Sequence, residues 1–173
     1  MKKILTLFAV IGLIAFSSCE GPEGPPGPPG YDAPLPFVFE VTTDFVGPNY
    51  DKVVPIQGML ASDNVLVYEL VGTSGGDRWT LLPQIYYFND GLETAQYNFD
   101  FSRTNVRIFI DGSIGDFSQL PNSFRLGKTF RIVLLPGDDG SGTAKSVNKA
   151  DYSDYDAVIK KYNIDDSNVK KLN

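Results

Sequence analysis

The chain has 173 residues, with 21 acidic against 15 basic side chains, no histidine and one cysteine. Without histidine there is no Ser-His-Asp or Cys-His catalysis and no imidazole metal site, and one thiol cannot build a Cys/His zinc centre. The formal net charge of −6 and the lack of a basic stripe argue against a nucleic-acid partner.

Met1, Lys2 and Lys3 make a short cationic start, and Ile4 to Phe16 is apolar apart from Thr6. That run is shorter than the roughly 20 residues of a permanent transmembrane helix. It has the length of a signal-peptide core, with small residues following at Ser17 and Ser18. Phe16-Ser17-Ser18-Cys19 resembles a bacterial lipobox, with Phe in place of the commoner Leu. The resemblance implies that residues 1–18 are removed by cleavage between Ser18 and Cys19, and that the Cys19 thiol carries a diacylglycerol. The competing reading is a soluble secreted protein with a chance cysteine. Each buried methylene contributes about 0.8 kcal/mol, and stable anchoring takes about two chains. A lipidated Cys19 therefore predicts a membrane partner and a place in the cell membrane, most simply the outer membrane. Loss of residues 1–18 removes Lys2 and Lys3 and no acid, which takes the charge from −6 to −8.

Residues 19–36 form a Gly-Pro-rich tether. Gly21-Pro22-Glu23, Gly24-Pro25-Pro26 and Gly27-Pro28-Pro29 keep a strict glycine period, which collagen needs because only glycine fits at the axis of three wound chains. Three triplets make a very short rod. A polyproline II or disordered spacer is the simpler expectation, because proline fixes φ and donates no hydrogen bond. At about 3.1 Å per residue, 21–36 spans up to roughly 50 Å.

Residues 37–136 read as strands. In PFVFEVTTDF, Phe37, Phe39, Val41 and Phe45 share one face. KVVPIQGML carries Pro55, which suits an edge strand or a loop. NVLVYELVG is a strand, and Pro83 interrupts RWTLLPQIYYF. NDG signals a hairpin. Tyr97, Phe99 and Phe101 then alternate with polar residues, as do Val106, Ile108 and Ile110, and Phe130, Ile132 and Leu134. Short strands with no helix-length pattern between them predict an all-β fold, an antiparallel β-sandwich or alternatively a β-barrel.

Residues 137–173 change character. A polar linker precedes Tyr155, Val158, Ile159 and Tyr162, spaced as one helical face. Ser153 is the expected N-cap, Asp154 and Asp156 suit the helix start, and Lys160 and Lys161 suit its end. This short C-terminal α-helix is expected to dock on the sandwich, and residues 165–173 to add one more turn.

Three aromatic side chains, Trp79, Tyr86 and Tyr87, are candidates for stacking on a sugar. Tyr86 and Tyr87 are adjacent and must point to opposite faces of a strand. For carboxylate catalysis of the glycosidase kind the candidates are Asp44, Asp51, Asp63, Asp90, Glu93, Asp100 and Asp111, which sequence alone does not pair. The expectation is no catalytic residue and no metal. GDDGSGTAKS from Gly137 departs from a phosphate loop, with Thr143 where lysine belongs, and Asp138 and Asp139 lack EF-hand spacing. No Gly-x-Gly-x-x-Gly follows a strand, so no cofactor is expected.

The lipobox cysteine, the Gly-Pro-Pro triplets, the strand-rich body ending in FRIVLLP and the Tyr-rich terminal helix together resemble small collagen-like lipoproteins of Bacteroidota. The resemblance implies location and architecture and carries no characterised activity. The expected role is a non-catalytic envelope module that binds or spaces another component, an envelope protein or a glycan.

Overall fold

The computed structural model describes residues 37–137 and 151–172. The expected signal peptide, Cys19, the expected Gly-Pro tether and the Asp138/Asp139 segment lie outside them.

Among the described residues nine strands make two sheets. They are β1 (Phe37–Thr43), β2 (Asp51–Pro55), β3 (Asn64–Gly72), β4 (Arg78–Leu81), β5 (Gln84–Phe88), β6 (Glu93–Phe101), β7 (Asn105–Gly112), β8 (Lys128–Leu135) and β9 (Lys170–Leu172). One sheet has the order β4-β3-β8-β1-β9 and the other β2-β7-β6-β5. Every pairing is antiparallel except β1 with β9. The predicted sandwich is the architecture found, and the sheets do not close into a barrel.

Local chemistry explains the element boundaries. Pro55 ends β2, which pairs only with β7 and so is an edge strand where a missing N–H is tolerated. Pro83 lies between β4 and β5 and marks where the chain leaves one sheet for the other. At the NDG turn Asn89 and Asp90 take φ of 47° and 56°, a left-handed geometry that Asn, Asp and Gly accept most readily. Gly112 pairs with Ala95, and a Cβ there would collide with the carbonyl oxygen of Thr94.

The interior face of each sheet carries the alternation read from sequence. Val41, Phe130 and Ile132 meet Ala95, Tyr97, Val106 and Ile108, all fully buried. An aromatic cluster fills one end: Tyr97 stacks on Phe124 with centroids 4.5 Å apart, and Phe45 lies 5.5 Å from Tyr97. Such pairs add about 1 kcal/mol each beyond area burial. Phe124 comes from a one-turn helix, α1 (Asn122–Arg125), in a stretch with no period that sequence could read.

The predicted C-terminal helix is α2 (Tyr155–Tyr162). It lies on the outer face of the β3-β8-β1 region and buries Tyr155 and Val158 against Val38, Tyr68, Val133 and Leu135. These three strands are therefore covered on both faces, which is why β3 and β8 read as apolar runs rather than clean alternations. Two details differ from expectation. Asp154, not Ser153, is the N-cap: its Oδ1 accepts from the Ala157 N–H at 3.1 Å, while Ser153 donates to Asp151. Residues 170–172 form β9 beside β1 rather than a further helical turn, because the free edge of β1 offers backbone partners.

Candidate functional site

The three candidate rings lie on three different surfaces. Trp79 projects from β4 toward α2, with the Arg131 guanidinium 4.3 Å from its centroid and the Tyr155 ring 5.7 Å away. Its face is already occupied by a cation. Tyr86 points into the sandwich, packs on Tyr97 and Phe124, and donates its hydroxyl to Glu69 Oε2 at 2.7 Å. Tyr87, on the other face of β5, is 71% exposed.

Glu69 is the residue the sequence reading passed over. It shares the inward face of β3 with Val65 and Val67, is 1% exposed, and is the one buried charged residue among the described residues. Lys128, from the start of β8, places Nζ 2.9 Å from Glu69 Oε1 and 5.4 Å from the Tyr97 centroid. Both carboxylate oxygens are thus engaged, one by an ammonium and one by the Tyr86 hydroxyl. The Tyr97 hydroxyl donates to the Phe124 carbonyl. Burial, reinforced by the Glu69 charge, pushes the Tyr86 and Tyr97 hydroxyls well above the ordinary tyrosine value. No buried side-chain N or O among the described residues lacks a partner. A Glu-Lys-Tyr set resembles a catalytic constellation in composition. With every group partnered inside the sandwich, it acts as a polar tie between the two sheets.

A second polar hub holds the C-terminal segment. Arg131 projects from β8 toward α2 and bonds Glu40 at 3.4 Å, Asp166 at 3.1 Å and the Tyr155 hydroxyl at 2.6 Å. Tyr155 in turn donates to Asp166 at 3.0 Å. Burial raises the Tyr155 hydroxyl despite the opposing Arg131 charge. Lys171 of β9 reaches Glu40 at 3.5 Å, so one carboxylate ties β1, β8 and β9.

Open space lies at the end of the sandwich where the chain enters β1. A cleft of about 660 Å³ has an apolar floor that includes Phe37, Val38 and Leu134, and a rim that includes Asp63, Asn168 and Lys170. A smaller hollow of about 310 Å³ adjoins it, sharing Asp63 and reaching Leu60, Phe101 and Arg103. Asp63 accepts from the N–H groups of Leu60 and Gly137 at 2.8 and 3.3 Å. Other candidate acids are likewise engaged. Asp100 pairs with Arg107, Asp44 accepts from the Gly127 N–H, Asp111 takes a bond from Gln96, and Glu93 takes one from Asn89. No group of three or more Cys, Asp or Glu among the described residues could hold a metal ion. No helix there is long and apolar enough to cross a membrane. Compared with models of known families, with curated proteins and with solved structures, the chain matches none.

Proposed function

We propose that this chain is a lipid-anchored protein of the bacterial cell envelope, whose β-sandwich serves as a non-catalytic binding or spacing module. The observation that carries this reading is Cys19, placed directly after Phe16-Ser17-Ser18 at the end of an apolar run with a cationic start. The Gly-Pro stretch that follows suits a spacer between a membrane and a folded body. The partnering of Glu69, Asp63, Asp100 and Asp111 favours a scaffold over carboxylate chemistry.

Mass spectrometry of the mature N-terminus tests the reading. A chain beginning at Cys19 and carrying acyl chains supports it, and Cys19→Ala should leave the precursor unprocessed or release protein from the membrane fraction. A bare thiol on the mature protein overturns it. A glycan ligand is the second reading, favoured by the exposed Tyr87 ring on β5, whose cross-strand partner is Thr94. Binding to a glycan array that Tyr87→Ala abolishes would establish it.

A further inference from the structure

We infer that the tether-proximal end of the sandwich seats on a lipid surface, so that the anchor and the folded body contact the membrane together. The inference rests on the lipid-anchor reading. Three large apolar side chains stand half-exposed at this end: Phe37 (54%), Leu60 (51%) and Phe101 (49%). They border two adjoining hollows that share Asp63, so they belong to one end of the molecule rather than to scattered surface positions. Isolated exposed apolar residues need no explanation, but a group of them at one end, beside a cleft where Phe37 meets Val38 and Leu134, marks an interaction surface.

The occupant follows from the covalent chain. Phe37 is at once part of this surface and the first residue after the 19–36 tether. An anchor at Cys19 brings the bilayer within the reach of that tether, at most roughly 50 Å for 21–36. A body held within that reach meets the bilayer repeatedly, and Phe37, the described residue nearest the anchor along the chain, belongs to the group of exposed apolar side chains. The force is apolar rather than ionic: the chain is acidic, and the rim carries Asp63 and Asp165 beside Lys170. Anionic headgroups are therefore not required, and added salt should not release the body. The far end gives an internal control. Leu92 is 86% exposed in the β5–β6 turn, and β6 at about 3.4 Å per residue separates it from Phe101 by roughly 30 Å.

The test uses full-length protein purified from membranes and reconstituted into zwitterionic phosphatidylcholine vesicles. With Cys19 acylated, a cysteine introduced as Leu60→Cys or Leu92→Cys is the only free thiol, and each takes a fluorophore. Spin-labelled lipid should quench the Leu60 probe several-fold more than the Leu92 probe, in low and high salt alike, and Phe37→Ser with Phe101→Ser should remove the difference. Equal quenching of both probes in a chain shown by mass to be acylated overturns the docking and leaves the anchor standing. A Leu60 probe shielded from aqueous iodide but untouched by spin-labelled lipid means that protein covers this end, and also overturns it. A chain whose mass shows no acyl group removes the premise, and both readings fall.

Discussion

Glu69 Oε1 lies 2.9 Å from Lys128 Nζ inside the sandwich, and the same carboxylate takes a hydrogen bond from Tyr86 of the opposite sheet. The pair joins β3 to β8, and the hydroxyl joins both to β5. Breaking a buried pair from one side leaves an uncompensated charge, which costs more than removing both partners. Lys128→Met should therefore destabilise the fold by about 3 kcal/mol in urea unfolding, and Glu69→Leu with Lys128→Met should recover most of that loss. A double variant no better than the single one would show that the tie is worth its full ionic strength.

Alkaline pH probes the same interior. The hydroxyls of Tyr68, Tyr86, Tyr97 and Tyr155 are held above their ordinary value of 10.0, chiefly by burial, and that of Tyr162 is pushed up to about 12. The unfolded chain gives up these protons near pH 10, while the folded chain keeps them. Stability from this source is complete below about pH 10 and is lost as pH rises from there through the folded-state values. The urea midpoint should be flat from about pH 7 to 9 and fall above 10, with the tyrosinate absorbance of these five side chains appearing in step with unfolding. Early ionisation of all the tyrosines in folded protein would contradict it.

Arg131 should control whether the C-terminal segment stays docked. Its guanidinium covers Trp79, the chain's one tryptophan, and bonds Tyr155 and Asp166. Arg131→Ala should shift tryptophan emission to the red and open Lys160 and Lys161 to trypsin, while strand circular dichroism persists. Arg131→Lys should rescue only part, because an ammonium cannot serve three acceptors in a plane. Unchanged emission and protection would mean that apolar packing of Tyr155 and Val158 alone holds α2.

Asp154 offers a local check on the helix start. Removal of an N-cap acceptor costs about 1 kcal/mol. Asp154→Ala should speed hydrogen exchange across 155–162 and leave the interior strands unchanged, whereas Ser153→Ala should do little.

These residues also show what could be read in advance. Alternation in β6 and β7 was legible because each turns one apolar face to the sandwich interior. Pro55 pointed to an edge strand or a loop and Pro83 to a break between β4 and β5, because their ring chemistry admits few other places, whereas the change of sheet at Pro83 had no signal in the sequence. Glu69 was not legible: α2 buries the far face of β3, so both parities of NVLVYELVG are apolar and neither marks a glutamate as inward. Phe124 was hidden for another reason, since a four-residue helix has too little length for a period. The N-cap shift from Ser153 to Asp154 is a choice between adjacent good caps, settled by which side chain reaches Ala157. Cys19 is the opposite case, a proposed site that rests on the sequence alone.

The seven-residue register of β1 against β8, from Phe37↔Leu134 to Thr43↔Lys128, has a mechanical consequence. Tension drawn through the chain upstream of Phe37 enters the body along the axis of β1. It loads that whole ladder in shear, together with the β9 pairs on the other side, instead of peeling bonds away one by one. A body hauled by its leash would resist extraction most strongly along that line, and would yield at far lower load if pulled from the β4 or β5 margin.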